Sequence, residues 1–153
     1  MYKCEHYTES IYYQFEQTAK YCRYLGLQIF QKLDLPITMD EFIALDVIIC
    51  HKEICQRELA KIILKDRPST GRILNSLEEK GYIKRWADTK NNRLVRKMCL
   101  TKEGERITKK ITDELRLYIG KLPQILSDED KEELIQSIKQ FREGLEKEVE
   151  MSI

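Results

Sequence analysis

Apolar residues recur along this chain at steps of three and four, the spacing of one face of an α-helix. The first such stripe predicts a helix over about residues 8–33. Its members are Ile11, Phe15, Ala19, Cys22, Leu25, Ile29 and Leu33. A second helix is predicted to begin near Met39, because Thr38 and Glu41 have the spacing of a capping box. It continues through residues 42–50, which are almost all apolar, so it is predicted to be buried on most sides.

Two shorter helices are predicted next. The segment QRELAKIIL, residues 56–64, indicates a third helix whose N-terminal cap falls near Cys55. Its apolar face consists of Leu59, Ile62 and Ile63. The fourth helix is predicted to follow Asp66, a favourable N-cap, with Pro68 in its first turn. Its inward face consists of Thr70, Ile73, Leu74 and Leu77. Gly81 suits the left-handed conformation that ends a helix.

The period changes to two from Tyr82 onward. Residues 82–86 and 94–100 are predicted to be strands, with residues 89–92 as the turn of a hairpin. Thr101 then caps a fifth helix, and Ser127 with Asp130 opens a sixth. The apolar stripe of the fifth helix consists of Ile107, Ile111, Leu115, Tyr118 and Leu122. The fold class is therefore predicted to be mainly α with a small β-hairpin.

Charge adds a feature that the total hides. The whole chain has a formal net charge of only +1. From Arg57 to Lys102, however, there are 13 lysines and arginines against 5 aspartates and glutamates, a local balance of +8. The formal net charge of residues 1–56 is −3, and that of residues 103–153 is −4. A cationic middle between two acidic flanks indicates one surface that binds a polyanion.

The basic segment reads as helix, turn, helix and hairpin, an order with which small proteins bind duplex DNA. In such a unit the second helix presents its N-terminal residues to the major groove. Arginine pairs bidentately with guanine, and serine or threonine hydroxyls donate or accept, so the start of the fourth helix is suited to reading bases. The DNA-binding candidates are Lys65, Arg67, Ser69, Thr70, Arg72, Asn75, Lys90, Asn92, Arg93 and Arg96.

Three alternatives compete with sequence-specific DNA binding. The fourth helix is read most simply as a solvated helix with scattered charges, but the adjoining hairpin and the +8 balance favour DNA. A module that contacts protein or RNA would keep the fold without needing base-reading arginines. An enzyme is not expected, because the chain has two histidines and no GxSxG, HExxH, phosphate-loop or glycine-fingerprint motif.

Residues 37–104 resemble the winged helix of the MarR family of bacterial transcriptional regulators. The matching segments are ITMDEFIALDVI, RELAKII, RPSTGRILNSLEEKGYI and LTKEG, in the family's order. The helices on either side match as well. The resemblance implies a winged helix-turn-helix over 37–104 within a single domain of residues 1–153, flanked by dimerisation helices in 1–34 and 105–153. It also implies a homodimeric repressor of a roughly palindromic operator, with wings that reach the minor groove.

The wing departs from that family at one place. The resemblance puts the family's wing arginine at Leu94 and the aspartate that precedes it at Asn92. Arg93 lies one residue nearer the tip and is the candidate substitute, since arginine suits a narrow, negative minor groove.

The dimer also has an argument from the residues. The apolar stripes of the first, fifth and sixth helices are too long for a winged-helix core of about 65 residues to cover. A partner chain is one cover, and terminal helices that fold back onto the same chain are the alternative.

Regulation leaves several hypotheses open. Six of the eight tyrosines lie before residue 25, and they are expected either to pack the dimer or to line a pocket for a small aromatic effector, as the family resemblance allows. The pocket candidates are Tyr12, Tyr13, Tyr21, Tyr24 and His51. Cys55 is a redox candidate, because a helix N-terminus lowers a thiol pKa, or else only a weak cap. Five cysteines without a CxxC pair make a zinc knuckle unexpected. The candidate metal ligands are Cys4 with His6, and Cys50 and His51 with Cys55, but neither set has familiar zinc spacing, so no metal or cofactor is expected.

The longest apolar run, residues 42–50, is far shorter than the ~20 residues that cross a bilayer, so no membrane contact is expected. The segment MYKCEHYTES has no apolar signal region, and a cytoplasmic location is expected.

Overall fold

The computed structural model describes residues 4–151, so Tyr2 of the tyrosine cluster lies outside the described residues. Within this range there are six α-helices and one antiparallel hairpin, which confirms the predicted fold class. The helices are α1 (Ile11–Lys32), α2 (Met39–Cys50), α3 (Gln56–Ile63), α4 (Arg67–Glu79), α5 (Lys102–Gly120) and α6 (Asp128–Glu148), and the strands are β1 (Ile83–Lys90) and β2 (Arg93–Leu100). None of the described helices is both long enough and apolar enough to cross a membrane.

Local capping determines where most helices begin. The Thr38 hydroxyl accepts from the Glu41 amide, and the Glu41 carboxylate accepts from the Thr38 amide, each at 3.1 Å, as the capping box predicted. Asp66 caps α4 by accepting from the Ser69 amide at 2.7 Å. The prediction for α1 was three residues too long at its start. Residues 7–9 form a separate 3-10 turn, and Ser10 is the cap.

The core lies between α2, α3, α4, α5 and the base of the hairpin. Its fully buried large side chains are Leu45, Leu59, Leu74, Leu77, Met98, Ile111 and Thr70. Two predictions about burial were wrong. Ile62 is 46% exposed, because the short α3 buries the side that carries Leu59, Ala60 and Ile63 and leaves Ile62 at its edge. Ile49 is 48% exposed near the end of α2, which therefore buries one face rather than most sides.

The hairpin is longer and its turn tighter than predicted. β1 and β2 pair from Ile83 with Leu100 to Lys90 with Arg93, which leaves only Asn91 and Asn92 in the turn. Both asparagines have positive φ, 53° and 60°, the conformation that a two-residue hairpin turn requires. Asparagine tolerates this conformation better than most residues, so β1 extends four residues beyond the predicted end at residue 86, and β2 begins one residue before the predicted start at residue 94.

The hairpin base is fixed against the start of α5. A Cβ atom on Gly104 would lie 2.0 Å from the Tyr82 carbonyl oxygen, so only glycine permits this approach. The Thr101 amide donates to the same Tyr82 oxygen at 3.0 Å. Gly81, with φ +79°, ends α4 just before β1, as predicted. The hairpin is thus held close to α4 and α5.

The outer helices leave much apolar surface open. No described residue of α6 is buried, and only Ile29 of α1 is. Phe15 of α1 stacks on Phe141 of α6, with ring centroids 4.7 Å apart and planes inclined by 11°. Leu117 and Ile125 remain 67% and 91% exposed in and after α5.

Candidate nucleic-acid interface

A cavity of about 560 Å³ lies between the start of α3, the exposed side of α4 and the outer half of the hairpin. Among the described residues, five of its lining side chains are arginines, and no aspartate or glutamate lines it. The five are Arg57, Arg67, Arg85, Arg93 and Arg96. We call this cavity the arginine groove. Its concentrated positive charge suits a polyanion.

The first turn of α4 lies beside the arginine groove. Arg72 is exposed, and its Nη2 donates to the Ser69 hydroxyl at 3.0 Å, so these two side chains form one polar unit on the helix surface. The hydrogen bond from the Ser69 amide holds the pKa of the Asp66 cap below its ordinary value. The cap therefore stays ionised at neutral pH and fixes the start of α4.

Thr70 lies on the inward face of α4, as its place in the helical period predicted. It is fully buried, and its hydroxyl donates to the Asp66 carbonyl oxygen at 2.9 Å. The helical period explains this position, since Thr70 is four residues before Leu74 and seven before Leu77 on the inward face. Thr70 supports the first turn of α4 and leaves contact with a ligand to its neighbours.

Asn75, one turn beyond Arg72, is joined to the hairpin. Arg85 of β1 donates from Nη2 to the Asn75 side-chain oxygen at 2.6 Å. Its Nε and Nη2 also donate to the two oxygens of Glu78, each at 3.2 Å. The side chain of Arg85 is only 6% exposed, and its hydrogen bonds lower the pKa of Glu78. α4 and the hairpin are therefore locked together beneath the exposed side chains.

The tip of the hairpin carries Asn92 in the turn and Arg93 beside it, both exposed. Leu94, where the family resemblance places an arginine, is 82% exposed. Arg93 precedes Leu94 in sequence and Arg96 follows it, and both arginines line the arginine groove. Two cationic side chains therefore remain at the wing despite the leucine.

Lys90 is engaged within the protein. Its ammonium donates to Glu58 of α3, and this hydrogen bond raises the pKa of Lys90 and lowers that of Glu58. Nearby, Lys97 pairs with Asp88 at 3.0 Å and with Glu53 at 3.5 Å. These pairs fasten the hairpin to α3 and to the loop before it.

Lys65, predicted as a DNA contact, lies in a different network. Its ammonium is 3.3 Å from Asp40 Oδ2, while Arg23 of α1 is 2.9 Å from Oδ1 of the same carboxylate. Lys65 immediately precedes the Asp66 cap of α4. The Asp40 carboxylate thus ties the start of α4 to α1.

The arginine groove brings together some predicted residues and adds others. Of the predicted set it is lined by Arg67, Thr70, Asn75, Arg93 and Arg96. Sequence reasoning missed Gln56, Arg57 and Arg85. The sequence did contain a signal for Arg85. Residues two apart on a strand share a face, and Arg85 is two residues after the buried Ile83, so it lies on the inward face of β1. Gln56 contributes a buried Oε1 atom with no hydrogen-bond partner among the described residues.

The predicted effector and redox residues differ in their surroundings. His51 lines a cavity of about 500 Å³ with Lys52, Ile54, Glu58, Lys61 and Ile62, and none of the tyrosines that the structure describes lines it. Tyr12, Tyr21 and Tyr24 are more than half exposed on α1, and the Tyr13 hydroxyl accepts from Gln17 at 2.7 Å. Cys55 is only 5% exposed, so its thiol is shielded from an oxidant. Among the described residues, no cluster of histidine, cysteine, aspartate or glutamate has the arrangement of a metal site.

Comparison with known proteins gives the class to which this fold belongs. The MarR family model matches residues 37–95, the segment from α2 to the first part of β2. The transcriptional regulator SlyA is similar in structure, with a TM-score of 0.72 and 22% identity over 91% of this chain and 96% of that chain. The S. aureus MepR–DNA complex gives a TM-score of 0.69 and 21% identity over 92% and 99%. Wild-type MarR from E. coli in its apo form gives 0.64 and 21% over 86% and 96%.

At these identities the structural likeness concerns the fold, which is a winged helix-turn-helix between helical flanks. No curated protein matches the chain in sequence. The family match covers the helix-turn-helix and most of the wing, and it agrees with the fold of the whole described chain. Residues 37–95 are therefore similar to the MarR family in sequence.

Proposed function

We propose that this protein is a sequence-specific double-stranded DNA-binding transcriptional regulator that acts as a homodimeric repressor. The observation that carries the proposal is the arginine groove, whose described lining residues include five arginines and no carboxylate. A cationic concavity beside an exposed helix start suits a duplex, since phosphates supply the affinity and base edges the specificity. The structurally similar MepR was solved as a DNA complex, which supports the same role for this fold.

The proposal assigns a different DNA contact to each group of solvent-accessible side chains. Arg72 and Ser69 at the start of α4 read base edges in the major groove, and Asn75 reads one turn further along. Arg57 and Arg96 neutralise phosphates at the sides of the groove. Arg93, beside the hairpin turn, takes the place of a minor-groove arginine.

The homodimer follows from the apolar surface of the outer helices. We assign residues 37–104 to DNA binding and residues 1–34 and 105–153 to dimerisation. In the single chain, Leu117, Ile125 and Leu134 are between 47% and 91% exposed, and a second copy is the cover that a symmetric dimer supplies. Two recognition helices related by two-fold symmetry would lie one DNA turn, ~34 Å, apart on a roughly palindromic operator.

Release by a small ligand is the form of regulation with more support. An open cavity of about 530 Å³ lies between α2 and α5, where Phe42, Leu115 and Ile119 give it an apolar lining and Asp46 and Arg116 give it charge. It lies where the helix-turn-helix joins a dimerisation helix, so a ligand there would act on both. Release by oxidation has less support, because the Cys55 thiol is buried.

Selection of bound sequences from random duplex DNA tests the proposal directly. The purified protein is expected to enrich an inverted repeat whose half-sites are centred about 10 base pairs apart. Its affinity for the enriched duplex is expected to fall steeply as salt increases, since bound phosphates release counterions. Flat enrichment with a shallow salt dependence would contradict the proposal and favour a module that contacts protein. Equal binding to random RNA duplexes would favour the RNA alternative.

A further inference from the structure

Arg85 lines the arginine groove, yet its guanidinium is directed at α4. The side chain is 6% exposed, so nearly all of it is enclosed by the protein. Glu78 accepts from Nε and from Nη2, each at 3.2 Å, in the two-pronged geometry that orients a guanidinium most strongly. With the fork fixed in this way, Nη2 also reaches Asn75 at 2.6 Å. Arg85 is thus arranged to hold Asn75.

This contact determines which atom of the Asn75 amide faces the hairpin. A guanidinium donates hydrogen bonds and accepts none, and an amide NH2 group likewise only donates. The atom at 2.6 Å from Arg85 Nη2 is therefore the Asn75 oxygen, an assignment that rests on hydrogen-bond chemistry. The amide nitrogen lies on the other branch of the same carbon, and it donates to no other described residue. Exposed Asn75 consequently offers a ligand two N–H donors.

The orientation of the Asn75 amide determines which bases it can recognise, because base edges differ in their hydrogen-bond donors and acceptors. An asparagine that reads adenine uses both amide atoms, because its oxygen accepts from N6 while its nitrogen donates to N7. An asparagine whose oxygen is already bonded matches edges that present acceptors, which are O6 and N7 of guanine and O4 of thymine.

We propose that Arg85 is a positioning residue that sets the base preference of Asn75 and directs it to guanine or thymine instead of adenine. The inference rests on the proposed function, since it concerns how α4 reads duplex DNA. It adds a specificity determinant that lies on the wing and is itself shielded from the DNA.

Base-preference profiles of variants test this inference. Selection from random duplexes with the full-length protein and with Asn75→Ala identifies the position that Asn75 reads, as the one whose preference disappears. At that position the parent is expected to prefer guanine or thymine over adenine by about fivefold to tenfold. Arg85→Met keeps the length of the side chain and removes its donors, so it frees the amide and is expected to shift the preference toward adenine. Lys84→Met, on the exposed face of the same strand, is the matched control and is expected to leave the profile unchanged.

A second variant keeps the inference falsifiable if Arg85→Met unfolds. Asn75→Asp gives Arg85 a stronger acceptor and removes the two donors, so the fold is expected to persist while the preference for guanine or thymine is lost. A parent that prefers adenine at this position, or an Arg85→Met variant that folds and keeps the parent profile, overturns the inference and leaves the DNA-binding function intact. Flat enrichment by the parent contradicts the proposed function itself.

Discussion

Arg72 is the residue on which the proposed base reading depends most directly. It is exposed near the start of α4, and its hydrogen bond to Ser69 restricts the side chain before any DNA arrives. An arginine held in this way loses less entropy when it binds guanine, so its removal affects the specific complex more than a random one. Phosphate-binding side chains act on both complexes alike.

We expect Arg72→Ala to cost ~1–3 kcal/mol on the selected operator and to relax the choice of base at one position, with a much smaller loss on random duplex. Fluorescence anisotropy on both duplexes at one salt concentration measures this difference. Arg106→Ala, an exposed arginine of α5 that pairs with Glu103 outside the arginine groove, is the control and is expected to change neither affinity by much. Equal losses on both duplexes for Arg72→Ala would contradict base reading by this residue.

Two residues mark the limits of sequence reasoning at this scale. The sequence placed Thr70 both on the inward face of α4 and among the DNA contacts, and its complete burial favours the inward role. Arg85 was counted only as charge, because its partners Asn75 and Glu78 become visible once β1 is placed against α4. The exposed candidates Arg67, Asn75, Arg93 and Arg96 line the predicted face.

The tie between α2 and α4 rests on Glu41. This capping residue is 5% exposed, and besides the Thr38 amide it accepts from Lys80 at 3.0 and 3.1 Å and from Ser76 at 2.9 Å. Burial by itself would raise the pKa of Glu41, but the hydrogen bonds from Lys80, Thr38 and Ser76 outweigh it and lower the pKa below its ordinary value. The charged form is therefore favoured by folding.

The sign of the pH dependence follows from that lowered pKa. A carboxylate whose pKa is lower in the folded state stabilises the protein above its unfolded pKa, and this contribution is lost as the pH falls through the folded pKa. We expect Glu41→Gln to reduce the free energy of unfolding by ~1–3 kcal/mol near pH 7, because the hydrogen bonds from Lys80 and Ser76 lose their charged acceptor. Urea unfolding at several pH values should show the difference between parent and variant shrinking as the pH falls from the unfolded pKa of this carboxyl through its lowered folded pKa.

Glu103→Gln is the matched control for this experiment. Its pKa is also lowered, through the hydrogen bond from Arg106, but the pair is exposed and lies three residues apart on one helix. Such pairs contribute little to stability, so this variant is expected to unfold like the parent. A Glu41→Gln difference that persists unchanged to low pH would show that the carboxylate charge is not what stabilises the α2–α4 contact.

The elements themselves were largely predictable because their signals are local. Capping boxes and N-caps join residues three apart, and the predicted caps of α2, α4, α5 and α6 are all observed. The hairpin turn was less accurate, since the positive φ of Asn91 and Asn92 depends on the twist of paired strands as well as on sequence. Pairs such as Lys90 with Glu58, 32 residues apart, had no sequence signal.

At the scale of the whole molecule, the arginine groove and the exposed apolar residues of the outer helices lie on different parts of the fold. The arginine groove is formed by α3, α4 and the hairpin. The exposed apolar residues Leu117, Ile125 and Leu134 belong to α5, to the loop after it and to α6, in that order. A repressor that reads a palindrome needs this separation, because the dimer contact must leave both DNA-binding surfaces free.

The proposed dimer is tested by placing charge in that apolar surface. The parent is expected to sediment at twice its chain mass of 18.3 kDa. A Leu117→Glu/Ile125→Glu variant is expected to sediment as a monomer, because an interface that buries unpaired carboxylates loses several kcal/mol. The same variant should bind a full inverted repeat no more tightly than a single half-site, since the two recognition helices are no longer linked.

Ile62→Glu places the same charge on a 46% exposed isoleucine of α3 and is expected to leave the dimer intact. A double variant that stays dimeric would place the interface elsewhere, and a monomeric parent that still binds an inverted repeat would contradict the assignment of residues 1–34 and 105–153 to dimerisation.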